Sequence, residues 1–332
     1  MKKVLLIQTG GTIAMDIAED GNPQLDASKE ADIVYKKIPE LSAIAEIEIK
    51  YPFFEDSSDV AQKQWGLLIN CIEKNYEEYH GFVILHGTDT MAYTASALSF
   101  GLQNLGKPVI LTGSQVPMKN LRSDARRNLV NAIEISTMPL PEVAICFNDF
   151  VFRGNRTTKM SIGDFDAFAS PNHPPLAEIG LNIELNTSRR QPEGPLQCSS
   201  NFRETVFLLK IYPGLPPQFL QRLDLSDINV LVIEAFGSGN FPIAGDYSLL
   251  PFLKRCVDEE ILLVFTSQAP YDAVELGKYE SGRKAAKLGA IGAGDMTTEA
   301  TLTKIMYLLA KHSSADELKQ QIQTNIAGEL TE

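Results

Sequence analysis

Three times in its first 115 residues the chain runs a short apolar stretch straight into a turn of glycine and hydroxyl residues. Val4-Leu5-Leu6-Ile7 gives way to Gln8-Thr9-Gly10-Gly11-Thr12, Phe82-Val83-Ile84-Leu85 to His86-Gly87-Thr88-Asp89-Thr90, and Val109-Ile110-Leu111 to Thr112-Gly113-Ser114-Gln115. Unbroken apolar runs of this length suit strands buried on both faces, as in parallel sheets covered by helices. A fourth turn, Glu55-Asp56-Ser57-Ser58-Asp59, gathers hydroxyls and carboxylates ahead of a helix that runs to about Tyr79. In an open α/β sheet the turns that follow the strands share one edge, so the four predict a single small polar site. Helical spacing from Met91 to Leu105 makes the 86–90 turn a helix entry, whose N–H groups suit an anion or an oxyanion. A plainer use competes at each position, because Thr88, Asp89, Ser58 and Asp59 are also good helix caps.

The alternation of strand and helix continues with a helix from Leu121 to Met138 and a strand Val143-Ala144-Ile145-Cys146-Phe147. Between the first two turns, Met15 to Ala27 is polar and shows no period, which predicts a mobile loop; Ser28 to Ile38 could form a short helix, and Ala43 to Tyr51 alternates as a strand. At 332 residues the chain exceeds what one core usually serves. A stretch rich in Pro, Asn, Ser and Gly from Pro171 to Asn201 separates two series of elements. The expected organisation is a larger N-terminal α/β domain over 1–190 with a doubly wound, mostly parallel sheet, a linker over 191–204, and a smaller α/β domain over 205–332. In that second domain Val206–Ile211, Val230–Ile233 and Ile261–Phe265 read as strands, and Ser248–Glu259 and Thr298–Lys311 as helices.

A formal net charge of −12 without a dense basic run argues against nucleic acid or an anionic membrane surface as partner. The apolar run after Met1-Lys2-Lys3 stops after four residues with no cleavage site, so it reads as the first strand of a cytoplasmic protein. No stretch approaches the length of a membrane span. Cys71, Cys146, Cys198 and Cys256 are scattered, as are the four histidines, which makes a metal site improbable; Cys71 and Cys146 look like core positions. The GxSxG and GxxxxGK[ST] patterns are absent. In Phe152-Arg153-Gly154-Asn155-Arg156-Thr157-Thr158-Lys159-Met160, a lysine held by a carboxylate could serve as a general base. Taken alone, Lys159 is a solvated charge on a turn.

Together, TGGTIAM at Thr9 to Met15, DSSD at Asp56 to Asp59, HGTDTMAYTASAL at His86 to Leu98, TGSQ at Thr112 to Gln115 and RGNRTTK at Arg153 to Lys159 resemble the bacterial cytoplasmic, type I L-asparaginases. The similarity extends across the chain to Gly292-Ala293-Gly294-Asp295-Met296-Thr297. The resemblance implies an amidohydrolase without cofactor or metal in which Thr12 attacks the side-chain amide of L-asparagine. Thr88, Asp89 and Lys159 would form a second cluster that activates the threonine and then a water. Asp56, Ser57, Ser58 and Asp89 would grip the substrate's α-carboxylate and α-ammonium, Ser114 would lie in or beside the substrate site, and backbone N–H groups of the glycine turns would serve as oxyanion donors.

It further implies a homo-oligomer, a tetramer assembled as a dimer of dimers, with Asn240 after Gly237-Ser238-Gly239 reaching a neighbouring subunit's site. One position departs from the family, whose flexible lid carries a tyrosine about ten residues after the nucleophile; here that position is Asn22 and the next tyrosine is Tyr35. Two other readings stay open. One is the ammonia-supplying subunit of a tRNA-dependent amidotransferase, which normally carries an additional domain ahead of its TGGT motif. The other is a non-catalytic small-ligand binding protein, which would leave Asp89 and Lys159 without a purpose.

Overall fold

The structure, a computed structural model, describes residues 1–11, 15–17, 23–25, 38–312 and 314–331. They form two compact units, Met1–Asn201 and Phe202–Glu332.

In the first unit β1 (Lys3–Gln8) is followed by β2 (Met15–Ile17), β3 (Pro23–Leu25), α1 (Leu41–Ile44), β4 (Glu46–Lys50), α2 (Gln62–Asn75), β5 (Gly81–Leu85) and α3 (Met91–Gly101). Then come β6 (Leu102–Gln103), β7 (Val109–Thr112), α4 (Ala125–Ser136), β8 (Val143–Phe147), β9 (Phe150–Arg153), β10 (Thr158–Lys159), β11 (Phe168–Ala169), β12 (Ala177–Ile179), β13 (Ile183–Leu185) and β14 (Gln197–Cys198). The main sheet has, among the described residues, eight strands in the order β13-β12-β9-β8-β7-β5-β1-β4. From β4 to β8 the pairing is parallel, and from β8 to β13 antiparallel. The chain winds outward from β1 in both directions, so the order reverses between β1 and β5. That is where open α/β sheets hold their ligands. The apolar runs are buried throughout in β5 and β8, as double coverage requires. Val4, Leu6, Val83, Leu85 and Ile110 pack against Leu129, Ala132 and Ile133 of α4.

The second unit carries β15 (Val206–Lys210), α5 (Pro217–Leu220), β16 (Val230–Ala235), α6 (Leu250–Asp258), β17 (Leu262–Ser267), α7 (Glu280–Lys287), β18 (Ile291–Gly292), α8 (Thr298–Lys311) and α9 (Ala315–Ile322). Its four strands are parallel in chain order, and Leu231, Ile233, Leu263 and Phe265 pack with Phe252, Leu253 and Cys256 of α6. Among the described residues no helix is long and apolar enough to cross a membrane.

Four local expectations change. The stretch expected as a loop from Met15 contains an antiparallel pair, β2 with β3; strands of three residues are too short to display a period. The strand expected from Ala43 begins at Glu46, since 41–44 close a helical turn in which the Ala45 N–H donates to Leu41 O. The helix expected from Leu121 begins at Ala125, because the Asp124 carboxylate organises the preceding loop by accepting from the N–H groups of Gln115 and Val116. Cys146 is fully buried and burial pushes its thiol up to about 12, whereas Cys71 is only half-buried. The short helix expected over 28–38 lies outside the described residues but for Ile38.

Candidate active site

At the reversal point the strand-end turns touch backbone to backbone. Gly11 has φ +83°, and a Cβ there would stand 2.4 Å from Gly87 N and 2.6 Å from Gly87 Cα. A Cβ on Gly87 would in turn lie 2.5 Å from Ser57 Oγ, and one on Gly113 2.3 Å from the His86 carbonyl oxygen. Only glycine permits that approach. Hydrogen bonds join the same segments: Thr9 N–H donates to Leu85 O (3.1 Å), Glu55 N–H to Thr9 O (2.9 Å), His86 N–H to Thr112 O (2.9 Å) and Thr90 Oγ1 to Ser57 O (2.6 Å). The turns after β1, β5 and β7 and the 55–59 segment are therefore one packed unit.

Lys159 arrives there from a distant part of the sequence. Its Nζ donates to Thr88 Oγ1 at 2.8 Å and to Asp89 Oδ1 at 2.6 Å. Buried contacts deliver it. Arg153 forms a two-pronged pair with Glu142, Nε to Oε2 at 2.6 Å and Nη2 to Oε1 at 3.1 Å, and Nη2 also donates to Ser188 O. Arg156 Nη2 donates to Asn172 O. Between the arginines, Gly154 lies against α3, where a Cβ would stand 3.1 Å from Ala95 Cβ. Because α3 starts directly after the 86–90 turn and is buried on every side at 94–101, the helix that fixes Asp89 also seats the segment leading to Lys159. The lysine side chain is 15% exposed and that of Asp89 68%, so the pair is protected on one side and open on the other.

Beneath the turn lies His86. Burial drives its imidazole pKa down to about 4, so the ring is neutral near pH 7. Its Nδ1–H donates to Gly87 O (2.8 Å), which leaves Nε2 to accept from Thr94 Oγ1 (3.0 Å); that hydroxyl accepts from Trp65 Nε1 (3.2 Å). The chain runs in one direction with every group satisfied. Asp56 is held below the usual carboxylate range, because the backbone N–H and then the hydroxyl of Ser58 donate to its Oδ1 at 2.8 and 2.7 Å. A lasting negative charge on the 55–59 turn suits a substrate that carries an ammonium.

Family models match almost the entire chain: asparaginase, N-terminal, over residues 3–191, and glutaminase/asparaginase C-terminal domain over 205–322. The chain belongs to the asparaginase family. It is 39% identical to L-asparaginase 1 of Escherichia coli (strain K12) over 334 residues, covering 99% of this chain and 98% of that one. L-asparaginase I from Vibrio cholerae superposes with a TM-score of 0.89 at 38% identity, covering 99% of both chains. The thermostable L-asparaginase from Thermococcus kodakarensis superposes with a TM-score of 0.89 at 35% identity and the same coverage.

Among the residues picked out from the asparaginase motifs, Thr88, Asp89 and Lys159 are in direct contact, and Ser57 packs against Gly87. Asp56 caps the turn Ser57–Asp59 by accepting from Ser58, whereas the plainer reading had Ser58 or Asp59 capping the helix that follows; the residue before α2 is Ala61. Ser114 is buried at the end of β7 and its hydroxyl has no hydrogen-bond partner among the described residues. Thr12 lies outside the described residues, directly after Gly11, and so do Asn22 and Tyr35. Asn240 belongs to the second unit, where Phe236 and Asn240 pair through their backbones and Asn240 Oδ1 accepts from Ser281 Oγ (2.8 Å). Sequence reasoning missed His86, Asp124 and Gln115 as functional supports. For His86 and Gln115 the signal available was a run of polar residues beside the glycines, without any period to say which way they point; Asp124 lies away from any glycine.

Proposed function

We propose that this chain is an L-asparagine amidohydrolase that yields L-aspartate and ammonia. The observation that carries the reading is Lys159 Nζ bound to both Thr88 and Asp89, on a turn packed against the Gly10-Gly11 turn that leads into Thr12. Thr12 Oγ attacks the side-chain amide carbon of asparagine and gives up its proton to the Lys159 cluster. The tetrahedral oxyanion is met by backbone N–H groups of the glycine turns. Collapse breaks the C–N bond, the amide nitrogen takes a proton and leaves as ammonia, and an ester on Thr12 remains. A water that gives its proton to Lys159 then hydrolyses the ester and restores the threonine hydroxyl. Asp89 holds Lys159 and, with Asp56, Ser57, Ser58 and Ser114, faces the substrate's charged groups.

The protein would act in the cytoplasm as a tetramer of two dimers, with Asn240 serving the site of a neighbouring copy. Ammonia release from L-asparagine, followed in wild type and in Thr12→Val, tests the reading. Wild type should turn over and Thr12→Val should lose at least about a thousandfold, since a methyl replaces the attacking oxygen with little change in volume. Activity near wild type in the variant removes Thr12 from the mechanism. Light scattering tests the assembly, and a fully active monomer would take Asn240 out of the site.

A further inference from the structure

Gln115 stands beside the catalytic cluster and touches both of its halves. Its Oε1 accepts from Thr88 Oγ1 at 3.2 Å, while its Nε2 donates to the carbonyls of Ser161 (3.2 Å) and Asp164 (3.1 Å). Those carbonyls lie in the tip of the hairpin β10–β11, the strand pair that holds Lys159; the Met160 N–H closes the base of the tip on Ala167 O, and Ser161 Oγ accepts from Gly163 and Asp164 N–H within it. The backbone of Gln115 is itself fixed, with its N–H on the Asp124 carboxylate, which also accepts from Asn128 Nδ2. We infer that Gln115 is a positioning residue for the reaction proposed above: it sets the direction of the Thr88 hydroxyl hydrogen and tethers the hairpin that presents Lys159.

The chemistry of the position explains the residue type. One branch must accept a hydrogen bond and the other must donate two, without charge, at the end of a chain long enough to span both turns; a primary amide does this and no other side chain does. Thr88 has one hydroxyl hydrogen. With that hydrogen on Gln115, the oxygen lone pairs face Lys159 and accept from Nζ. When Lys159 is neutral and ready to take a proton, an unrestrained Thr88 hydroxyl would turn and donate to the amine lone pair, occupying the site that the Thr12 or water proton needs. Gln115 is the competing acceptor that keeps that lone pair open. Its loss therefore acts on the proton-transfer steps more than on substrate binding.

The test uses the full chain with Gln115→Met, which keeps the length of the side chain and removes both functions, and Gln115→Glu, which divides them by pH. A carboxylate at 115 still accepts from Thr88 but turns its other oxygen toward two carbonyls; once protonated, it regains a donor. Gln115→Met is expected to lower kcat by about 10- to 100-fold with KM within about threefold of wild type. Chymotrypsin should cut after the half-exposed Phe165 at least about fivefold faster, because the tether is gone. For Gln115→Glu, the ratio of its kcat to that of wild type should approach one at acid pH and fall as pH rises through the new carboxyl's titration. Unchanged kcat and unchanged cleavage in Gln115→Met would overturn the inference, as would a Gln115→Glu deficit that is the same at every pH. Wild type that releases no ammonia from asparagine would defeat the amidohydrolase reading instead. The cleavage rates would still decide whether Gln115 holds the hairpin.

Discussion

Two lysines, one in each unit, are paired with a carboxylate inside α/β packing, and they are used in opposite ways. Lys304 on α8 is completely buried, as is Glu329. Its Nζ meets Glu329 Oε1 at 2.5 Å and donates to the carbonyls of Ile322 (2.8 Å) and Thr324 (2.6 Å), so all three of its hydrogens are spent. Glu329 also accepts from the N–H groups of Ile326 and Ala327. Burial lowers the Lys304 pKa and Glu329 opposes the shift, and neither side chain is exposed to solvent. This pair fastens the end of the chain to α8. Among the described residues Lys159 meets two side chains, Thr88 and Asp89, and Asp89 is open to solvent. A saturated, buried ion pair is architecture, whereas one with a solvent-accessible partner can exchange protons.

The comparison breaks most sharply on the lysines themselves. Lys159→Met should cut turnover by about a thousandfold or more and shift stability by less than about 1 kcal/mol, because water can solvate Asp89 once its partner is gone. Similar turnover in wild type and variant would put Lys159 in the same class as Lys304. Lys304→Met should do the reverse. It strands a buried carboxylate and is expected to cost about 3–5 kcal/mol in denaturant titration, with ammonia release per folded molecule unchanged. The double change Lys304→Met with Glu329→Leu should recover most of that loss, and failure to recover would mean that the backbone contacts of Glu329 matter more than its charge.

A smaller effect comes from His86. Its folded pKa of about 4 is below the ordinary value of 6.5, so the unfolded chain binds the extra proton first and stability falls as pH drops from about 6.5 to about 4. The loss from this group is about 3 kcal/mol at most. His86→Gln, which cannot titrate, should flatten the pH dependence of Tm over that window; an unaltered slope would assign the acid sensitivity to other groups. The smallest effect concerns residue 22, in the segment that the resemblance to the family implies is a lid. Asn22→Tyr restores the phenol usual at that position in the family, and kcat should rise by a few-fold, about 1 kcal/mol or less. Unchanged kinetics would mean that residue 22 takes no part in closure.

Much of the first unit was legible because buried parallel strands write themselves as unbroken apolar runs, and because glycine at each strand end announces close backbone approach. Thr88 and Asp89 stood out for that reason. Lys159 drew notice only as a lysine that a carboxylate could hold: by its neighbours it reads as a solvated turn residue, and what makes it otherwise is the buried anchoring of Arg153 and Arg156, contacts between segments that no local pattern records. Gln115, Asp124 and His86 escaped for a related reason, since in irregular turns side-chain direction has no periodicity from which it can be inferred. In the second unit the helix over 298–311 was plain, but a lysine in its middle reads as surface. Only the return of the chain terminus, bringing Glu329, makes Lys304 internal.

The hydrogen-bonded line from Gly87 through His86 and Thr94 ends on Trp65, which is the single tryptophan of the chain and is 5% exposed. Its indole thus emits from a nearly dry setting at the far end of a relay whose near end adjoins Thr88. Emission excited at the red edge of protein absorption arises from that one ring. A ligand that moves the 86–90 turn is expected to change that emission, so titrating L-asparagine against intrinsic fluorescence would report its arrival without a label, and an unchanged signal would mean that the line does not transmit binding to the indole.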